Sequence, residues 1–166
     1  MRKIGFHGGS SLCELGPASD VVLFFACIDQ YVAQEHPETD WSLITDRLYR
    51  RYLPREDLAR ATDLMVRVRE IFAQRPAASS IEWDAAMLED RERSWLNPDL
   101  PTLADVFSKY FENFSYCVES AKVFEENWKI YKPVRTVISD LSGFARDKNK
   151  PLAEYDAIKG KPFWLQ

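Results

Sequence analysis

The side chains able to do chemistry are few and scattered. The chain of 166 residues has only His7 and His36 as histidines, and neither has a second ligand at a metal-binding interval. No HExxH, GxxxxGK[ST] or GxGxxG run occurs. His7 opens a His-Gly-Gly-Ser sequence like the oxyanion loop of esterases, but that loop works with a GxSxG elbow and a later histidine, and both are missing. Gly8 and Gly9 are expected instead to make a positive-φ turn after a strand. Cys13 would need a neighbouring histidine to become a nucleophile, and only His7, across a hairpin, is placed to supply one. The cysteines are Cys13, Cys27 and Cys117, an odd number with no CxxC pair. That spacing predicts neither a disulfide framework nor a structural zinc site. Cys27 and Cys117 sit among apolar residues and read as small core hydrophobes. Glu82 and Asp84 alternate along a strand-like segment, so both would face one side. Two carboxylates so placed could do acid–base work, one with its pKa raised by the other. A solvated acidic rim explains the same pair without catalysis. The reading that follows is of no catalytic set, no metal site and no cofactor.

The elements that must position these residues are legible in outline. Lys3 to Phe6 reads as a first strand, with Leu12 to Leu15 as its hairpin partner. Ser19 or Asp20 is placed to cap a helix from Val21 to Gln34, apolar nearly all round at its start and hence central. Trp41, Ile44, Leu48 and Tyr52 mark one face of the next helix. From Leu58 to Phe72 apolar residues recur at three- and four-residue steps, the clearest amphipathic helix in the chain. Ser80 to Trp83 alternates and predicts a strand. Residues 84–101 are polar and irregular. Thr102 or Asp105 is expected to cap a short helix around Val106 to Phe111. A long helix from Phe114 to Ile130 should bury Phe114, Cys117, Val118, Ala121, Phe124 and Trp128. Val134 to Ile138 reads as a strand. Phe163-Trp164-Leu165 is an apolar end that should dock or serve as a contact. Strands mixed irregularly with helices predict an α+β fold, mainly helical with a small antiparallel or mixed sheet, as one domain over residues 1–166.

Charge and composition narrow the partner. The chain is 46% apolar and 29% charged, ordinary globular usage, with a formal charge of -4. A mildly acidic chain lacks the clustered basic excess that direct nucleic-acid binding needs. There is no apolar leader at the N-terminus, and the longest apolar run, Val21 to Ile28, is too short for a bilayer. A cytoplasmic protein is expected. Between Glu82 and Asp105 lie seven acids and two arginines, a local charge of minus five against -4 for the whole chain. Such an acidic field beside Trp83 and Trp95 fits a binder of a basic protein, with charge steering encounter and aromatic anchors supplying affinity. The candidate contacts are Glu82, Asp84, Glu89, Asp90, Glu92, Trp95 and Asp99. Arg47, Arg50 and Arg51 with Tyr49 form a smaller basic cluster, expected as a solvated helix face.

The order of these motifs resembles a known family. Lys3-Ile4-Gly5-Phe6, Gly9-Ser10-Ser11 and Leu15-Gly16 are followed by Leu48-Tyr49 and the helix from Glu56-Asp57-Leu58 to Ile71-Phe72. Then come Pro76, Ile81-Glu82-Trp83-Asp84, Trp95 before Asn97-Pro98, and Leu103 leading to Tyr110-Phe111. Over residues 3–130 this resembles bacterial polymorphic-toxin immunity proteins, including those of contact-dependent growth inhibition systems. The family usually has proline before its second tryptophan, where Ser94 stands here, and often Asp-Gly after the Tyr-Phe pair, where Glu112-Asn113 stands. The tail from 132 to 166 has no counterpart. The resemblance implies a protein without enzymatic activity that binds a cognate toxin C-terminal domain, often a nuclease, and neutralises it in the cytoplasm. A general adaptor or assembly subunit is a second reading, and a carboxylate-dependent hydrolase or small-ligand sensor using Glu82 and Asp84 a third.

Overall fold

A computed structural model describes residues 2–84, 94–140 and 151–166. The fold is α+β, with helices packed on one three-stranded antiparallel sheet of order β2-β1-β3. β1 (Lys3–Gly8) and β2 (Ser11–Pro17) form the expected hairpin, and β3 (Arg135–Ile138) pairs with the other side of β1. Every residue of β1 after Lys3 is buried, as a central strand covered by helices must be. β1 and β2 are joined by Gly9 at φ 57, the left-handed turn that the Gly-Gly pair predicts.

α1 (Ala18–Ile28) follows β2 directly and continues into wider helical turns at Asp29–Ala33. It starts earlier than its apolar run implies, because Pro17 takes the N-cap position with extended backbone. Neither Ser19 nor Asp20 caps it, and Asp20 instead lies inside the first turn, fully buried. α2 (Leu58–Phe72) is the amphipathic helix its spacing predicts, burying Leu58, Ala61, Leu64, Met65, Val68 and Phe72. α3 (Ala77–Ser80) is a single turn. α4 (Leu103–Val106) carries a capping box in which Thr102 and Asp105 each satisfy the other's backbone N–H. α5 (Ser108–Trp128) is the longest helix and takes in both helical segments expected after residue 106.

Phe24 of α1 is the hub of the core. Its ring centroid lies 5.3 Å from Phe25, 6.1 Å from Phe72, 5.2 Å from Phe107, 4.7 Å from Tyr110 and 5.6 Å from Phe111. Edge-on and tilted pairs of this kind add about 0.5–1.5 kcal/mol each beyond their burial. They join α1, α2 and α5 into one core. The tail docks on this body: Trp164 is buried, and its indole N–H donates to the Tyr49 carbonyl at 2.8 Å. α6 (Leu152–Asp156) lies against the same side through Tyr52, whose hydroxyl bonds Asp156 at 3.0 Å.

Further expected features differ, and Phe124 of α5 is only half-buried. Ser80 to Trp83 is not a strand. Pro76 supplies the extended residue that starts α3, and the backbone beyond it is satisfied by side chains: Tyr31 Oη donates to the Ser80 carbonyl at 2.6 Å, and Trp83 Nε1 to the Ala77 carbonyl at 3.1 Å. The alternation survives without a ladder, with Ile81 buried, Glu82 exposed, Trp83 half-buried and Asp84 exposed. Trp128 is not on the buried face of α5, because the helix outruns the sheet; it is 67% exposed.

The hairpin turn presses directly on α5. A Cβ at Gly8 would come within 2.3 Å of the Cys117 carbonyl oxygen, and one at Gly9 within 2.3 Å of that of Ser120. Gly9→Ala meets both this clash and its left-handed backbone. It should lower unfolding free energy by about 2–4 kcal/mol in a urea titration, from left-handed strain plus overpacking. A loss below ~0.5 kcal/mol would show that the turn is free to move off the helix.

Candidate functional site

The described candidate contact residues fall on two connected segments. Residues 76 and 102 form a bridge, the Ala77 N–H donates to the Pro101 carbonyl at 3.0 Å, and the Leu103 N–H donates to the Arg75 carbonyl at 3.0 Å. The departing and returning ends of the acidic stretch are therefore tied side by side. Glu82, Asp84 and Asp99 are solvent-exposed. Glu89, Asp90 and Glu92 lie outside the described residues. Asp105, also counted in the acidic field, is spent on its cap with Thr102. Trp83 packs partly on the core with its indole N–H bonded internally, so it supports the segment.

Trp95 is the exposed aromatic of this region, at 39%. Its position is built from three elements. Its backbone N–H donates to Asp20 Oδ2 of α1 at 2.8 Å. Its ring lies over Gly16 at the end of β2, where an added Cβ would sit 3.3 Å from Cε3. Lys3 Nζ of β1 and Lys109 Nζ of α5 stand 5.3 and 4.8 Å from the ring centroid. Cation–π contacts of this exposure contribute about 0.5–1 kcal/mol each. Two lysines therefore flank the Trp95 ring, Lys3 itself paired with Glu14 at 3.9 Å, and the acidic field lies on its flanks in sequence. After Trp95 the chain turns through Asn97, whose Oδ1 accepts from the Asp99 N–H at 3.0 Å.

Asp20 is the residue that sequence reasoning misplaced. As a first-turn acid after Pro17 it looked like a cap, and nothing local marks it as the partner of a loop 75 residues away. Burial pushes its carboxyl above the ordinary carboxylate range, against the pull of the Trp95 N–H and the Ser94 hydroxyl. Tyr110 of α5 faces the same carboxylate, and burial followed by that charge raises its phenol.

His7 and the arginine cluster serve the fold. His7 is buried on β1, opposite Leu12 and Arg135, and its imidazole bonds the Gly9 backbone. Burial, then the charges of Arg135 and Lys132, lower its pKa to about 4. It is a neutral ring that secures the turn. Arg47, Arg50 and Arg51 are engaged within the fold: Arg47 pairs with Asp156 at 3.1 Å, and Asp46 lies 3.0 Å from Arg50 and 3.9 Å from Arg51. All three cysteines carry free thiols. Among the described residues no group of three or more His, Cys, Asp or Glu is placed to hold a metal ion, and no helix is long and apolar enough to cross a membrane.

A second surface escaped the sequence reading. An open groove of about 340 Å³ runs along the outer face of α5 beside the hairpin turn, lined by Ser11, Tyr116, Ser120, Val123 and Trp128 among others. Tyr116, Ser120, Val123 and Asn127 recur at helical spacing, but the serine and asparagine among them mask the groove's apolar walls in the sequence.

No family model, curated protein or solved structure matches the chain.

Two buried groups set opposite pH dependences. His7 is neutral in the folded protein at pH values where the unfolded chain, with its value of 6.5, takes up a proton. Its contribution is complete above that value and is lost as pH falls toward about 4, on the order of 3 kcal/mol in all. The folded state holds the Asp20 proton to higher pH than the unfolded state, so the cost of burying its charge is relieved as pH falls through its raised value. His7→Gln should therefore flatten the acid limb of stability between pH 6.5 and 4. Asp20→Asn, which keeps an acceptor without charge, should be at least as stable as the parent at pH 7. Asp20→Ala should cost about 1–3 kcal/mol by leaving the Trp95 N–H unpaired. Equal losses in both Asp20 variants would contradict the role given to its acceptor oxygen.

Proposed function

We propose that this chain is an immunity-type protein that binds a cognate toxin domain, a basic nuclease, and neutralises it in the cytoplasm. It does so by covering the toxin's active site or substrate surface. The observation that carries the reading is Trp95: a large aromatic left exposed while its backbone is fastened to a fully buried carboxylate. A side chain held this way binds without a large ordering cost, and tryptophan is the residue most enriched among binding hot spots. Glu82, Asp84 and Asp99 are exposed on the same stretch of chain, before and after it. They supply negative charge against a surface that holds nucleic acid and is therefore basic. The resemblance of the motif order to that of immunity proteins supports the toxin as the partner. Glu82 and Asp84 serve in this reading as steering charges rather than as an acid–base pair.

Co-expression with the toxin encoded by the neighbouring gene tests the whole proposal. Cells should survive when this chain is soluble, and the two proteins should co-purify. Death despite soluble expression would end it. Within a complex, Trp95→Ala should weaken binding about 10- to 100-fold, the cost of losing a central aromatic. Charge removal at Glu82, Asp84 and Asp99 should slow association and reduce its salt dependence. Trp128→Ala should leave affinity unchanged; the reverse pattern would move the interface to the α5 groove.

A further inference from the structure

Cys13 and Cys117 meet between β2 and α5. Cys13 stands directly opposite Phe6 in the β1–β2 ladder, so the two side chains share a face of the sheet. That face is the one under α5, because the Phe6 ring packs edge-on against Phe114 at 6.0 Å. Cys117 is one helical turn further along α5. Its Sγ donates to the carbonyl of Phe6, the residue paired with Cys13, at 3.4 Å, and the two thiols are close enough to influence each other's ionisation. The contact is bracketed on both sides. Ser11 Oγ donates to Ser120 Oγ at 2.8 Å, and Asn113 Nδ2 to the Glu14 carbonyl at 3.4 Å. Strand and helix are thereby held in register with the sulfurs between them. Cys13 is half-buried and Cys117 buried, so one thiol is open to a reagent and the other waits behind it.

We propose that Cys13 and Cys117 are a redox-active pair that closes to a disulfide by exchange with a low-molecular-weight disulfide of the glutathione class. The Cys13 thiolate attacks one sulfur of the reagent; a Cys13 mixed disulfide forms and one reagent thiolate leaves. The Cys117 thiolate then attacks the Cys13 sulfur, the protein disulfide forms, and the second reagent thiolate leaves. Two protein thiols are oxidised, one reagent disulfide is reduced to two thiols, and the two protons pass to those thiols. The second step is the slower one, because burial holds the Cys117 thiol protonated. The bond covalently joins β2 to the helix it already touches, beneath the Ser11 and Ser120 edge of the α5 groove.

The test is treatment of the folded full-length protein with oxidised glutathione, followed by alkylation, denaturation and non-reducing peptide mass spectrometry. Of the three thiols, only Cys27 should remain free. A Cys13–Cys117 cross-linked peptide should appear, and the intact mass should fall by two hydrogens and recover with dithiothreitol. Cys117→Ser should stop at a stable glutathione adduct on Cys13, and Cys13→Ser should show neither adduct nor cross-link. A wild-type protein that stops at the Cys13 adduct, forms a dimer through Cys13, or keeps all three thiols would overturn the proposal.

Discussion

α5 lies directly on the backbone of the β1–β2 turn, and that contact exists because residues 8 and 9 have no side chains. Any Cβ there would occupy the space of the Cys117 and Ser120 carbonyl oxygens. The helix is consequently set at one height above the sheet, and much else follows from that height. Phe114 reaches Phe6, Cys117 reaches Cys13, and Ser120 reaches Ser11. At the near end of the same helix Tyr110 enters the Phe24 cluster and faces Asp20, while Lys109 comes under Trp95. At the far end α5 outruns the sheet and leaves Trp128 in solvent. Core, thiol pair and candidate interface thus share one geometric origin.

At the candidate interface a buried carboxylate and an exposed aromatic go together. Burying the carboxylate of Asp20 costs desolvation, which its raised pKa records. In return one backbone N–H at the start of an exposed segment is held in place, and with it a tryptophan that the core does not absorb. The neighbouring Trp83 takes the opposite course, giving its indole N–H to Ala77 and packing its ring partly on the core. Two tryptophans in one acidic stretch therefore have different work, one supporting the segment and one available to a partner.

Local periodicity made much of the fold readable. The hairpin, α2 and β3 follow from alternating or three-and-four spacing, and Gly8-Gly9 announced its own turn. What could not be read were contacts between residues far apart in the chain. The alternation of Ile81 to Asp84 is real, but a strand also needs a partner edge, and Tyr31 and Trp83 satisfy that backbone instead. Asp20 had the position of a cap and serves a loop. Trp128 had the spacing of a core residue and falls beyond the sheet. Of the candidate contacts, Trp95, Glu82, Asp84 and Asp99 are at the surface as expected, yet the lysines beneath Trp95 were invisible because they come from β1 and α5.

Hydrogen–deuterium exchange of this protein alone and with the toxin domain proposed as its partner tests most directly whether Trp95 marks the binding surface. Protection on complex formation should concentrate on residues 94–99 and 82–84, with the outer face of α5 unchanged. Protection confined to α5 between Tyr116 and Trp128, or no protection at saturating toxin, would contradict binding through Trp95.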